Sequence, residues 1–466
     1  MRIPRRLPAL AGFVLIGLSA LAGLTACNKT QSQGGQGAGG KLVIYTHQTQ
    51  LFLGDEKKDA QGNTYRDPST AWQKILTEQF TKETGIAVEF VGYGSDSNVI
   101  KQLLQVRDPG LDMFSVGMTL TNDEYAKYMA PIMSVAEAET LYGKELTAAM
   151  PQVEGTLRAL DIAKEYGEGL TYNEAVLNAA GYEAIPPSIG EFEVMLQKIK
   201  DAGITPIVLH RVENWPLSVL GSISNYVGGR TDSFVKMLDD PEPFSEAYPV
   251  GKTIKMYTQW KAKGFFEQEV YPDFGVAMDA VSYGRAGMML FGSWVIPQII
   301  NRVPEGGRPE VIKFDAAPDF GKGRYILVNP AQRYAINAGS KHIEEAKQYL
   351  DFLARQPEYL AKIGCIAIHK DVTPIAPGHF SLIQGRVERG EVQQIIAAPL
   401  TQNSIDNDEV LKDANLLADN KWAGLPFDAL DITKSEDWSA YNQQITRENE
   451  LYNQYRKERG VSYKSY

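Results

Sequence analysis

Lys41-Leu-Val-Ile-Tyr-Thr46 begins the run of sequence that decides the fold class. Its apolar, β-rich residues sit between a Gly-rich stretch and a polar loop, the pattern of a buried parallel strand. After that loop, Trp72, Ile75, Leu76 and Phe80 recur at helical spacing on one face. Ser69 is a suitable N-cap for this helix, and Gly85 stands where a left-handed C-cap glycine belongs. Ile86 to Val91 reads as a second strand, Asn98 to Val106 as a second amphipathic helix, and Leu111 to Val116 as a third strand. Such alternation predicts βαβ units and a parallel sheet covered on both faces.

The pattern restarts after about residue 165. Ser188-Ile-Gly-Glu191 is a capping box, and the helix it opens carries Phe192, Met195, Leu196 and Ile199 on its apolar face. Gly203 closes that helix before a strand over Ile204 to Leu209. Val311 to Ala316 and Tyr334 to Ala338 read as strands flanking a Gly/Pro-rich passage, and helices dominate from there to Tyr466. A chain of 466 residues is well beyond the size at which one core stops growing, so two α/β lobes are expected.

Toward the N-terminus, Arg2, Arg5 and Arg6 precede an uncharged run from Leu7 to Ala26, the layout of a secretory leader. Leu24-Thr-Ala-Cys27 resembles the bacterial lipobox, which implies cleavage before Cys27 and lipid on its thiol. Gln31-Ser-Gln-Gly-Gly-Gln-Gly-Ala-Gly-Gly40 has no side chain large enough to bury and reads as a tether. A Gly-rich coil of about 13 residues reaches about 20 Å, enough to keep a domain beside the membrane and free to turn. The chain carries 47 Lys+Arg against 57 Asp+Glu, and losing the leader arginines makes it more acidic still, which argues against nucleic acid as a partner. Cys365, the only other cysteine, lies in apolar Ile363-Gly-Cys-Ile-Ala-Ile368 and reads as a buried thiol.

Several ordered segments together resemble the family-1 extracellular solute-binding proteins, the group that includes sugar-binding components of ABC importers. They are Phe80-Thr-Lys-Glu-Thr-Gly-Ile86, Gly169-Leu-Thr-Tyr-Asn173, Gly284-Arg-Ala-Gly-Met-Met289 leading to Gly292-Ser-Trp294, Ala317-Pro-Asp-Phe-Gly321, and Ala335-Ile-Asn-Ala-Gly-Ser-Lys341 followed by Glu345 to Leu353. Leu111-Asp112 departs from the Pro-Asp that is usual in the family. The resemblance implies a two-lobe, periplasmic-binding-protein-like α/β fold, with chain crossings near Tyr166–Thr171 and Tyr325–Ala331 and a hinge between the lobes. It divides the chain into a leader at 1–26, lipidated Cys27 and tether at 27–40, a first lobe at 41–165 resumed at 332–372, and a second lobe at 170–324. Residues 373–466 fall mostly to the second lobe. It also implies a carbohydrate ligand, a pair of membrane permease subunits as partners, a monomer, and a place on the outer face of a cytoplasmic membrane, in a Gram-positive cell.

A sugar site needs a flat apolar face for the ring and donors and acceptors around its rim. Trp294 matches the family position whose indole stacks on sugar; the alternative is that it caps a lobe core. Trp215 lies in a loop at a strand's C-terminal end, where open α/β sheets place ligands, and His47 and Gln48 directly follow the first strand at the same kind of end. Tyr93 lies in another loop after a strand. Asp112 either accepts from hydroxyls or caps a turn, while Tyr166 and Arg333 adjoin the two crossings and reach either a ligand or the other lobe. Trp72 and Trp438 read as structural. The five histidines His47, His210, His342, His369 and His379 are scattered, so neither a metal site nor a cofactor is expected. No nucleophile elbow, P-loop or zinc-protease motif occurs, and catalysis is not expected. A ligand-sensing lipoprotein that signals to a membrane kinase would need the same cleft and remains the alternative.

Intact-mass analysis of the membrane-fraction protein is expected to find residues 1–26 absent and lipid on Cys27. Cys27→Ala is expected to release the chain or leave it uncleaved, and an unmodified chain beginning at Met1 in the membrane would contradict this.

Overall fold

The computed structural model describes residues 41–58, 64–94, 97–117, 120–212, 214–268, 271–304, 306–397, 402–430 and 437–464. The leader, Cys27 and the tether lie outside them. Strands run in chain order as β1 (Lys41–Thr46), the hairpin β2 (Asp55–Lys58) and β3 (Thr64–Asp67), β4 (Ala87–Gly92), β5 (Met113–Ser115), the short hairpin β6 (Gln152–Val153) and β7 (Thr156–Leu157), and β8 (Leu160–Tyr166). They continue as β9 (Gly169–Asn173), β10 (Thr205–Val208), β11 (Ala286–Phe291), β12 (Ile312–Asp315), β13 (Tyr325–Ile336), β14 (Ile366–Ala367) and β15 (Gln393–Ile396). The first lobe is built on a sheet ordered β14-β8-β13-β5-β1-β4, with β15 pairing the far end of β13, and the second on β10-β11-β9-β12. No helix among the described residues is long and apolar enough to cross a membrane.

β1 sits between β4 and β5 and runs parallel to both, as the alternation predicted. Its Leu42 and Ile44 are fully buried. Element ends shift by a residue or two from the sequence reading, since end turns fray and cap differently. The helix read from Trp72 spans Trp72–Thr84 and ends at Gly85 in the left-handed conformation. Its entry differs from the expectation: Pro68–Thr70 forms a 3₁₀ turn capped by Asp67, so Ser69 lies inside that turn and does not cap the helix. The buried face differs too. Ile75 is 45% exposed, while Gln73 and Thr77 turn inward, where Gln73 Nε2 donates to the Tyr334 hydroxyl (3.1 Å) and Thr77 Oγ1 pairs with that of Tyr349 (2.5 Å). Polar side chains tolerate burial once paired, so the buried arc is set by 72, 73, 76, 77 and 80.

Two regions read as irregular are strands. The loop after β1 contains the β2–β3 hairpin, whose cross-strand pairs Glu56–Arg66 and Lys57–Asp67 (both 2.6 Å) take the place of an apolar alternation. The second half of the Gly/Pro-rich passage before Tyr334, from Tyr325 on, belongs to β13, twelve residues without a break; Pro318, Gly321 and Gly323 stay in the irregular turn ahead of it. Pairing with β15 ends at Val328 and pairing with β5 begins at Tyr334, so one edge between them is unpaired, and a strand there accommodates Pro330.

β13 and its antiparallel neighbour β8 carry the chain between the lobes. Tyr325 to Val328 join the apolar cluster of the second lobe, whereas Ala331, Tyr334 and Ile336 join that of the first. β8 divides the same way, with Leu160, Ile162 and Ala163 on one side and Tyr166 on the other. The helix Ile189–Asp201 is capped by Ser188 and buries Phe192, Met195, Leu196 and Ile199, as read. Gly169 allows β9 to close on β12: a Cβ there would meet the Phe314 ring at 2.5 Å and the Asp315 carbonyl oxygen at 2.8 Å. The C-terminal helices add Val410, Leu411, Trp422, Phe427, Tyr441 and Tyr452 to the second lobe's core.

Candidate functional site

A cavity of about 710 Å³ lies between the lobes against the unpaired edge of β13. This is the size of a small-molecule site. His47, Gln48, Ser115 and Val116 come from the C-terminal ends of β1 and β5. Glu165 and the run from Asn329 to Arg333 form its floor, and Trp294 and Gln298 close it from the second lobe.

The first-lobe wall is fixed by hydrogen bonds. The Ser115 hydroxyl donates to Thr46 Oγ1 (3.0 Å), and His47 Nδ1 lies 3.0 Å from Ser115 Oγ. Tyr93 donates its hydroxyl to the Ser115 carbonyl (2.8 Å), and its ring packs 5.9 Å from that of His47. A Cβ at Gly117 would lie 2.7 Å from His47 Nδ1, so only glycine leaves room for the imidazole here. Burial lowers the His47 pKa, so the ring is neutral near pH 7.

Arg333 is held by Asp161 through Nε (3.0 Å) and Nη2 (2.8 Å). Asp161 is itself almost fully buried, so the guanidinium reaches the cavity with its charge already balanced. Glu165 faces Asn329 across the β8–β13 pair. Burial, with the negative charges of Glu168 and Asp161 adding, pushes its carboxyl up to about 8, so at neutral pH it carries a proton that it can donate. Gln332, on the same wall, holds a left-handed backbone conformation (φ 57°), a strain that non-glycine residues keep mostly at functional sites.

Trp294 is aimed by the hinge itself. Ser293 and Tyr166 exchange hydrogen bonds: the Ser293 amide donates to the Tyr166 carbonyl (2.9 Å), and the Tyr166 amide donates to Ser293 Oγ (3.1 Å). Gly292 lets the indole lie close, since a Cβ there would sit 2.8 Å from Trp294 Cδ1. Behind it, Trp215, Phe274 and Phe291 pack with ring centroids 6.1, 5.9 and 6.2 Å from that of Trp294. The loop that carries Trp215 is tied down by the Glu267 carboxylate, which accepts from the amides of Leu209 (2.8 Å) and His210 (2.5 Å).

Of the residues read from sequence, His47, Gln48, Trp294 and Arg333 meet at this cavity. Tyr93 and Trp215 stand just behind it, against His47 and Trp294. Asp112 and Tyr166 are placed elsewhere. Asp112 lies before β5, at the end away from the cavity, where Oδ2 accepts from the Val43 amide (2.8 Å) and Oδ1 from the Ser340 hydroxyl (2.6 Å). A buried carboxylate with both oxygens engaged is a staple of the sheet. The Tyr166 ring is buried against Phe380, and its hydroxyl accepts from Gln394 Nε2 (3.1 Å). Its part in the site runs through its backbone. Sequence reasoning missed Glu165, Gln298 and Asn329; the charges Asp161, Lys164 and Glu165 gathered in one short crossing strand were the available signal for the first. Among the described residues no group of three or more His, Cys, Asp or Glu could hold a metal ion.

The sequence model for bacterial extracellular solute-binding proteins matches residues 62–358. No curated relative matches the chain significantly. Among solved structures, the chain is similar to the ABC-transporter binding protein BlMnBP1 from Bifidobacterium animalis subsp. lactis in complex with mannobiose, with TM-score 0.70, 18% identity, and 90% of this chain and 95% of that one covered. It is similar to RafE in complex with raffinose (TM-score 0.64, 16% identity, 89% and 99% covered), a protein whose apo form is described from Streptococcus pneumoniae. It is also similar to a probable secreted solute-binding lipoprotein from Streptomyces coelicolor (TM-score 0.55, 16% identity, 89% and 98% covered). At these identities the likeness shows the fold.

The Glu165 carboxyl has its folded pKa raised, from the ordinary 4.5 to about 8, so the folded state holds a proton that the unfolded chain gives up. Its stabilisation is complete below the lower value and lost as pH rises through the upper one. Thermal unfolding from pH 5 to 9 is expected to show that decline in the wild type and a flatter profile in Glu165→Gln. Parallel profiles would mean that this carboxyl ionises normally.

Proposed function

The chain belongs to the bacterial extracellular solute-binding protein family, and on that premise we propose that it captures a carbohydrate between its lobes and delivers it to the permease of an ABC importer. The observation that carries this is the composition of the cavity wall. An indole shares the wall with side-chain amides, the Ser115 hydroxyl, a neutral imidazole and a protonated carboxyl. The one strong cation, Arg333, is balanced within the protein by Asp161. Such a wall suits a neutral polyol. A charged solute such as an amino acid would need an uncompensated partner, and burying its charge without one is costly. The sugars bound by the similar structures support the same ligand class.

In this reading the chain acts as a monomer, with lipid on Cys27 holding it to the outer face of the cytoplasmic membrane. Closing the lobes is a hinge motion about β8 and β13 that encloses the solute without remodelling either core. The closed pair of lobes is the surface that a permease engages. The protein's own role is binding, with no bond made or broken.

A thermal-shift screen over neutral mono- and oligosaccharides tests the ligand class, since a ligand at 100 times its Kd stabilises the fold by about 2.7 kcal/mol. For a saccharide hit, Trp294→Ala is expected to cost on the order of 1–3 kcal/mol, roughly ten- to hundred-fold in affinity, on the scale of aromatic stacking against a nucleic-acid base. Unchanged affinity in a folded variant would take Trp294 out of the site. A screen in which a peptide or metal ion binds and no saccharide does would overturn the ligand class.

A further inference from the structure

The β2–β3 hairpin is rooted in the first lobe. A Cβ at Gly54 would sit 1.9 Å from the Asp67 carbonyl oxygen, so the base of the hairpin closes only with glycine there. The Asp55 amide donates to Thr70 Oγ1 (2.7 Å), and Arg66 Nη1 donates to the Gly54 carbonyl (3.1 Å). Leu51 before this base and Thr70 and Ala71 after it are buried. The two paired strands therefore move with the first lobe.

Beside its root the hairpin touches the second lobe, where Asn301 Nδ2 donates to Asp55 Oδ2 (2.6 Å). Beyond that contact the strands stand away from the second lobe over a cavity of about 760 Å³. Tyr65 in its roof is 47% exposed, and Tyr283 in its floor is 49% exposed, beside Phe274. Glu56 and Lys57 also belong to the roof, above a floor that carries Arg302, Asp273 and Asp279, so each sign on the hairpin has its opposite on the second lobe. Apolar surface left open on two facing walls marks an interaction surface. Here both walls belong to one chain and are joined at the root, which makes their meeting an intramolecular event with a high effective concentration.

We propose that the β2–β3 hairpin is an interlobe strap, which turns about the Asp55–Asn301 contact and closes on the second lobe with Tyr65 against Tyr283. Closed, it holds the two lobes together and sets how long a solute stays enclosed. It also reaches the first cavity, because Trp294 and Asn301 flank the same short helix, Val295–Ile300. A strap fastened at Asn301 steadies the far end of the element that carries the indole. This role holds for whatever solute the cleft takes, so it stands apart from the carbohydrate reading.

Tyr65→Cys with Tyr283→Cys in the full chain tests the strap without a ligand. Under oxidised glutathione a disulfide between positions 65 and 283 is expected, identified by peptide mass spectrometry, since a bridge forms only when the Cα atoms come within about 7 Å. Adding Asp55→Ala or Asn301→Ala is expected to slow that disulfide about ten-fold, the scale of one hydrogen bond to a charged group. The two together are expected to slow it no further, because they remove the same bond. Small-angle scattering is expected to give the oxidised pair a smaller radius of gyration than Asp55→Ala alone. Circular dichroism checks that each variant is folded, and Asp55→Ala and Asn301→Ala are separate routes to the same result. Absence of the disulfide, a rate that ignores both Asp55 and Asn301, or equal radii of gyration overturns the proposal.

Discussion

The antiparallel pairing of β8 with β13, from Val328 opposite Tyr166 to Tyr334 opposite Leu160, is the constraint on which everything else hangs. Each strand plants one end in each lobe's core, so the pair ties the two lobes together. A hinge belongs where backbone pairing persists and core packing is handed from one cluster to another. The unpaired edge of β13 at this handover is also the floor of the cleft, so on the proposed reading the segment that bends is the segment that a ligand touches. Ser293 couples Trp294 to the same place by its double hydrogen bond with Tyr166. A movement of this strand pair therefore moves the indole.

The chemistry of the cleft follows from how each polar group is prepared. Arg333 arrives neutralised by Asp161, His47 arrives held by Ser115 and neutral, and Glu165 arrives protonated because burial and neighbouring carboxylates disfavour its charge. These are fixed dipoles more than free charges. On the proposed reading they bind hydroxyls with little reorganisation, which lowers the ordering cost of association. The aromatic cluster of Trp215, Phe274, Phe291 and Trp294 supplies the apolar face and is packed on itself.

Much of this could be read from sequence where local pattern and burial agree. β1, the helix with Phe192, Met195, Leu196 and Ile199, and the Gly85 cap obey period and capping rules that need no distant partner. His47, Gln48 and Trp294 were legible because strand ends and the Gly-Ser-Trp element point to the cleft. Several of the failures share one cause, which is that the deciding partner lies far along the chain. Gln73 and Thr77 are buried because Tyr334 and Tyr349 meet them, and Asp112 is a staple because Val43 and Ser340 take both of its oxygens. The β2–β3 hairpin has no apolar alternation, since ion pairs set its register. β13 was obscured by Pro330, which a strand tolerates only where an edge is free, and that freedom is a property of the sheet.

The central claim is that a sugar occupies the space between Trp294 and the β13 edge. A crystal structure of the chain grown with its tightest-binding saccharide addresses it most directly. The account predicts a pyranose ring lying on the Trp294 indole, with hydroxyls within hydrogen-bond reach of Glu165 and of the polar side chains between Asn329 and Arg333. A ligand bound outside the cleft, or within it with Trp294 untouched and Glu165 out of reach, would contradict it.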